Sequence, residues 1–216
     1  MTSRPFVVPF IAFLGFMGLH ALASLDPLTD QLVWLLGMAA VLTLIARPAL
    51  DFRLTAAPTS IALGLAVFAL WIAPDLLFPG YRTHWLLSNS LTGTVAPGLA
   101  EPDRSPVILI LRTLRASLIV PIVEELFWRA WLMRWLIEPN FIKIPLGTYA
   151  PQAFWIVAIM FAAEHGPFWD VGLAAGILYN WWMVRTKSLG DLILAHAVTN
   201  ACLSAYVVAA GKWEYW

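Results

Sequence analysis

Charge is what this sequence has least of. Of its 216 residues, 12% are Asp, Glu, Lys or Arg, against roughly 25% in a soluble domain. So little solvating material cannot cover a water-exposed surface. Lys plus Arg and Asp plus Glu are equal at 13 each, with no basic run, which argues against an electrostatic nucleic-acid binder. Cys202 is the only cysteine, so an internal disulfide and a cysteine-rich metal site are both excluded. In an apolar helix, Cys202 reads as a small packing residue. There is no internal repeat, no HExxH motif, and no linker long enough to separate one domain from another.

What the chain has instead is oil: 61% of its residues are hydrophobic, in long stretches that recur from one end to the other. A membrane-spanning helix needs ~20 mostly apolar residues. Candidate spans cover residues 6–25, 28–46, 57–79, 106–136, 150–165, 168–185 and 189–210. The pattern predicts an all-α, multi-spanning helix bundle of about seven helices (six to eight), forming a single integral-membrane domain over residues 1–216. The fourth span is too long for one straight crossing and contains Pro121, which predicts a kink or a division into two helices.

Orientation follows from the basic residues. Arg4, Arg47, Arg53, Arg134, Lys143, Arg185 and Lys187 fall on one side of the predicted spans, and Arg82, Arg104 and Lys212 on the other. The richer side is the cytoplasmic one, which places the N-terminus in the cytoplasm of a cell membrane crossed several times. Arg4, the apolar run from Phe6 to Leu19 and "ALA" at 21–23 also outline a signal peptide. More apolar spans follow at once, so a retained first helix is the better reading. Trp and Tyr near span ends fit interfacial anchoring.

The informative residues are the polar ones inside spans: Arg112, Arg115, Glu124, Glu125, Arg129, Glu164, His165, His196 and Asn200. One charged side chain at mid-membrane costs about 2.5–3.5 kcal/mol on insertion scales, so three in one helix need partners, a polar interior or a function. Glu125 and Arg129 are i and i+4 with the acid first, the favourable order for an ion pair. Glu124 points about 100° away around the helix, with Trp128 as its own i+4 neighbour. Glu125 thus has a local partner and Glu124 does not, which leaves Glu124 available as a general base or acid.

Later spans supply collaborators. His196 and Asn200 share a helix face in "HAVTN", and His165 ends "FAAEH" one turn after Phe161. A histidine in an apolar helix is more often a satisfied core residue than a catalyst, but several deep polar groups in one short chain favour a site. His20 and His84, near a span end and in a loop, read as incidental. Arg112 and Arg115 are expected to pair with carboxylates or to snorkel.

These residues resemble the motifs of the CPBP family: CAAX prenyl endoproteases and their prokaryotic relatives, including bacteriocin-processing and self-immunity proteins. The family pattern EExxxR, FxxxH, HxxxN reads here as Glu124-Glu125-Leu-Phe-Trp-Arg129, Phe161-Ala-Ala-Glu-His165 and His196-Ala-Val-Thr-Asn200. The resemblance covers residues 105–210, the expected catalytic core, and suits the prokaryotic branch. Glu164 is not part of the pattern and receives no role.

The resemblance implies an intramembrane endopeptidase that hydrolyses a peptide bond of a membrane-associated protein or peptide. Glu124 activates water, His165 helps hold it, His196 and Asn200 stabilise the oxyanion, and Glu125 with Arg129 forms a supporting ion pair. Prenyl specificity does not carry over with the fold. The same residues allow a Zn²⁺ reading, with Glu124, His165 and His196 as ligands. Without HExxH, and with no second residue obviously free to act as base, the metal-independent glutamate mechanism is favoured. Two other classes stay open: a proton-coupled transporter, which the lack of repeated halves disfavours, and a non-proteolytic binding or immunity factor whose charges lock the bundle.

Overall fold

The structure, a computed structural model, describes residues 2–22, 25–95 and 98–216, without the side chains of 20, 21, 101 and 102. Ala23 of the "ALA" stretch and the ring of His20 thus lie outside the described residues. Among those described, the chain forms seven principal helices and no strand. They are α1 (Arg4–Leu22), α2 (Pro27–Ala49), α3 (Ala57–Leu77), α4 (Pro106–Trp135), α5 (Pro151–Ala163), α6 (Trp169–Thr186) and α7 (Leu189–Ala210). Each corresponds to one expected span.

α2, α3, α4 and α7 are long and apolar enough to cross a membrane; α5 and the Arg4–Leu19 part of α1 are apolar but shorter. At 1.5 Å per residue the 13 residues of α5 extend only about 20 Å, less than the ~30 Å of hydrocarbon in a bilayer. A helix of that length starting at one surface ends inside the slab, and the turn that follows it carries His165.

α4 is not broken at Pro121. It runs continuously from Pro106 to Trp135 but opens into π-helical turns at Arg115–Ile119 and Leu126–Leu132. The first opening absorbs the proline. Val120 N–H bonds to Arg115 O and Pro121 has no N–H to give, so neither serves the Ala116 carbonyl. Asn200 Nδ2 on α7 donates to that carbonyl at 2.9 Å instead. The helix stays whole because a neighbour supplies the missing donor.

α3 and α7 meet closely along their length. A side chain at Gly64 would collide with Ala195 O and the Val198 side chain, which is the close backbone approach that small residues permit in membrane bundles. The start of α3 is held by Asp191, fully buried at the start of α7. Its carboxylate accepts from Thr55 N–H (2.8 Å), Thr55 Oγ1 (2.6 Å), Ala56 N–H (3.0 Å) and Ser60 Oγ (3.1 Å). These main-chain donors have no partner within their own helix.

The two ends of the bundle differ in charge. Ser188 Oγ donates to Arg53 O at 3.0 Å, Arg134 lies over the rings of Phe6 and Phe141, and Trp131 Nε1 donates to Ser3 Oγ at 3.0 Å. Those contacts gather the N-terminus, the α2–α3, α4–α5 and α6–α7 connections, and all seven residues of the more basic set at one end. At the other end Arg82 pairs with Asp75 at 3.1 Å and with Asp170, and donates to Pro167 O at 3.0 Å. Tyr215 Oη donates to Asp75 Oδ2 at 2.8 Å. Burial and the neighbouring Asp75 carboxylate push the Tyr215 phenol up, so it remains a donor.

Candidate active site

Glu124, Glu125 and Arg129 lie on the second half of α4, where the helix passes from regular to π-helical turns; such widened turns recur at functional sites. Glu125 and Arg129 are fully buried. Arg129 Nη1 donates to both Glu125 oxygens at 3.1 Å, as the sequence spacing predicts. The same Glu125 Oε1 also accepts from His196 Nδ1 on α7 at 2.7 Å. Glu125 therefore joins two helices and fixes the imidazole of the site, a task the sequence reading did not assign to it.

Arg129 Nε and the face of the guanidinium are held by groups the sequence reading missed, while Nη2 is buried without a hydrogen-bond partner. Nε donates to Asn180 Oδ1 at 2.8 Å, and Asn180 Nδ2 donates to Phe154 O at 2.7 Å, tying α4, α5 and α6 together. The Phe161 and Tyr179 rings face the cation, 4.3 and 5.6 Å from ring centre to Cζ. Tyr179 also stacks on His196 at 5.0 Å and donates to Thr199 Oγ1 at 2.8 Å. Asn180 carried a readable signal: it is a carboxamide in the middle of an apolar span, the same feature that singled out Asn200.

His165 follows the last turn of α5. Its Nδ1 lies 2.6 Å from the carbonyl oxygen of Phe161, the main-chain acceptor four positions earlier, which fixes the ring. A carbonyl only accepts, so Nδ1 carries the proton and Nε2 is left with a lone pair. Trp71 of α3 and Phe161 pack against the imidazole at 5.2 and 4.7 Å between ring centres. His196 is arranged in parallel fashion, with Nδ1 held by a carboxylate and Nε2 turned toward Glu124, 3.9 Å from Oε2.

These groups line one cavity of about 190 Å³ with Ala116, Val120, Trp71, Leu203, Tyr215 and Trp216 around them. Glu124, His165, His196 and Asn200 all face it. Glu124 is 6% exposed and its Oε2 has no hydrogen-bond partner. One Asn200 N–H is engaged by Ala116 O; the amide has a second. Among the described residues, no three His, Cys, Asp or Glu side chains stand close enough together to hold a metal ion, so the Glu124, His165 and His196 set does not fit the zinc arrangement.

The remaining polar residues are accounted for elsewhere. Glu164 accepts from Trp128 Nε1 at 3.0 Å and is not part of the cavity wall. Arg112 lies over Trp216 and Arg115 over Trp34, with the Asp30 carboxylate attracting both. His84 accepts from Leu86 N–H within its loop, and Cys202 is half-buried.

Residues 106–202 match the family model described as type II CAAX prenyl endopeptidase Rce1-like. The EExxxR, FxxxH and HxxxN motifs all fall within that stretch. No curated protein and no solved structure gives a significant match.

Proposed function

From the match of residues 106–202 to the Rce1-like type II CAAX prenyl endopeptidase family model, we propose that the chain is a member of that family and that its cavity hydrolyses a peptide bond of a membrane-associated protein, with Glu124 as the base. One observation carries this reading. The single acid in the cavity without a hydrogen bond on one oxygen faces two imidazoles whose Nδ1 atoms are both engaged, by Glu125 and by the Phe161 carbonyl.

In this reading Glu124 takes a proton from a water molecule held through the His165 Nε2 lone pair. The water oxygen attacks the scissile carbonyl carbon, and its π electrons move to the carbonyl oxygen. The second N–H of Asn200, and Nε2–H of His196 when its ring is charged, donate to that oxyanion. Removing one such donor typically costs about 10²–10³ in rate. Glu124 then passes its proton to the departing nitrogen as the C–N bond breaks, leaving an amine and a carboxylic acid. Glu125 and Arg129 touch no reacting atom; they hold His196 and the helix that carries Glu124.

The test compares protein termini in membranes of cells carrying the wild type or Glu124→Gln at equal abundance. New termini confined to the wild type support the reading and supply substrates. Identical termini, with Glu124→Gln complementing every phenotype, would sink it in favour of a binding or transport role.

A further inference from the structure

The cavity has a direction. On α7 it is lined by His196, Thr199, Asn200, Leu203 and Ser204, so from the imidazole of His196 it runs only toward the C-terminal end of that helix, over about 12 Å. On α4, which runs the opposite way, Glu124, Val120 and Ala116 lead toward the N-terminal end. Tyr215 and Trp216 close the series. Each of these paths leads away from the end that carries Arg4, Arg47, Arg53, Arg134, Lys143, Arg185 and Lys187.

Toward that basic end the described residues pack closely. Met183 and Leu192 have no exposed surface, Tyr179 has 1%, and below them Trp182 Nε1 donates to buried Ser60 at 3.1 Å. At the opposite end the covering is Tyr215 and Trp216, which pack on Phe168, Tyr206 and Trp213. Tyr215 is tied to Asp75 by one hydrogen bond, and the Trp216 ring rests against the Arg112 guanidinium at 5.4 Å.

In multi-spanning membrane proteins the end richer in Lys and Arg is the cytoplasmic one. Resting on that rule and on the endopeptidase reading, we propose that the chamber takes its substrate from the non-cytoplasmic side, past Tyr215 and Trp216. Its substrates are then membrane-anchored proteins whose cleaved segment has already been translocated. The catalytic water enters by the same route.

The sole cysteine makes a test that needs no substrate. In a full-length Cys202→Ala background, Leu203→Cys places a thiol on the cavity wall. Arg53→Cys and Thr83→Cys mark the basic and opposite ends. A membrane-impermeant maleimide is applied to right-side-out and to inverted vesicles of the cell's own membrane. Leu203→Cys and Thr83→Cys are expected to be modified in right-side-out vesicles only, and Arg53→Cys in inverted ones only. Adding Trp216→Ala should speed modification of Leu203→Cys from the same side.

Modification of Leu203→Cys from the cytoplasmic side, or of Arg53→Cys from outside, overturns the proposal. So does a Leu203→Cys thiol that stays unreactive from both sides even with Trp216→Ala. Labelling requires no catalysis, so loss of the endopeptidase reading and loss of the chamber's direction are separately visible. New termini mapping to cytoplasmic segments would also count against it.

Discussion

His196 Nδ1 and Glu125 Oε1 stand 2.7 Å apart across the α4–α7 interface, and the same carboxylate receives Arg129 at 3.1 Å. The two adjacent glutamates thus have opposite situations. Glu125 is saturated by a cation and an imidazole, while Glu124 keeps an oxygen free in the cavity. Replacing either acid by its amide should stop cleavage, for different reasons. Glu125→Gln leaves the buried Arg129 without its counter-charge, a loss of about 3–5 kcal/mol when one partner of a buried pair is removed. Glu124→Gln leaves no fully buried cation without its counter-charge, since Glu124 Oε2 has no hydrogen-bond partner, and should destabilise less than Glu125→Gln. Thermal unfolding of both variants in detergent, beside their cleavage rates, checks the contrast. Equal destabilisation would show that Glu124 is as structural as Glu125.

Asn200 is predicted to be coupled to Pro121 through the Ala116 carbonyl. The proline deprives Ala116 O of a main-chain donor, and Asn200 Nδ2 replaces it at 2.9 Å. Asn200→Ala should therefore cost about 1–3 kcal/mol for the orphaned carbonyl, besides the lost oxyanion donor. In a Pro121→Ala background a main-chain N–H is available again, and the stability cost of Asn200→Ala should shrink. A double-mutant cycle on unfolding reads this coupling directly. Additive costs would remove the structural half of Asn200's role, while the loss of rate should persist in both backgrounds.

The fold and four of the cavity residues were legible for one reason: in a mostly apolar chain a charged, imidazole or carboxamide group inside a span is conspicuous. Seven hydrophobic stretches became seven helices, and Glu124, His165, His196 and Asn200 converge. Partnerships across helices were not legible. Spacing along one helix revealed Glu125 with Arg129, but nothing in the spacing of α4 says that His196 shares Glu125, or that Asn180 accepts from Arg129 Nε. The proline marked a disturbance but did not divide the helix; the donor that replaces its missing N–H, Asn200, lies on another helix. Asp191 was not singled out, since two of its four donors are main-chain amides and the other two are hydroxyls more than a hundred residues away in the chain.

That carboxylate yields a stability prediction. Asp191 gathers four hydrogen bonds from Thr55, Ala56 and Ser60 and has a fully buried side chain at the α3–α7 junction. Asp191→Ala should lower stability by about 2–4 kcal/mol, combining a lost helix cap with buried donors left unmet. Asp191→Asn should recover little, because an amide nitrogen would face donors where an oxygen now accepts. The readout is unfolding in detergent together with hydrogen exchange at Thr55 and Ala56. A variant with wild-type protection at those amides would mean that α3 starts without this cap.

Metal dependence is the remaining division between mechanisms, and the side-chain geometry sets the expectation. Zinc in a hydrolytic site needs three protein ligands converging at about 2.0–2.2 Å from one point, with a fourth position open to water. Here Glu124 Oε2 and His196 Nε2 stand 3.9 Å apart, near the separation of two ligands on one ion, but no third acid, histidine or cysteine closes on that pair among the described residues. Purified protein should therefore cleave at its full rate after prolonged chelation and exchange into metal-free buffer, with less than one equivalent of bound transition metal by elemental analysis. Loss of activity on chelation, with stoichiometric rescue by Zn²⁺, would instead make Glu124, His165 and His196 the ligand set. Glu125 would then be the nearest acid left to act as base, and the free Glu124 oxygen would no longer argue for a glutamate mechanism.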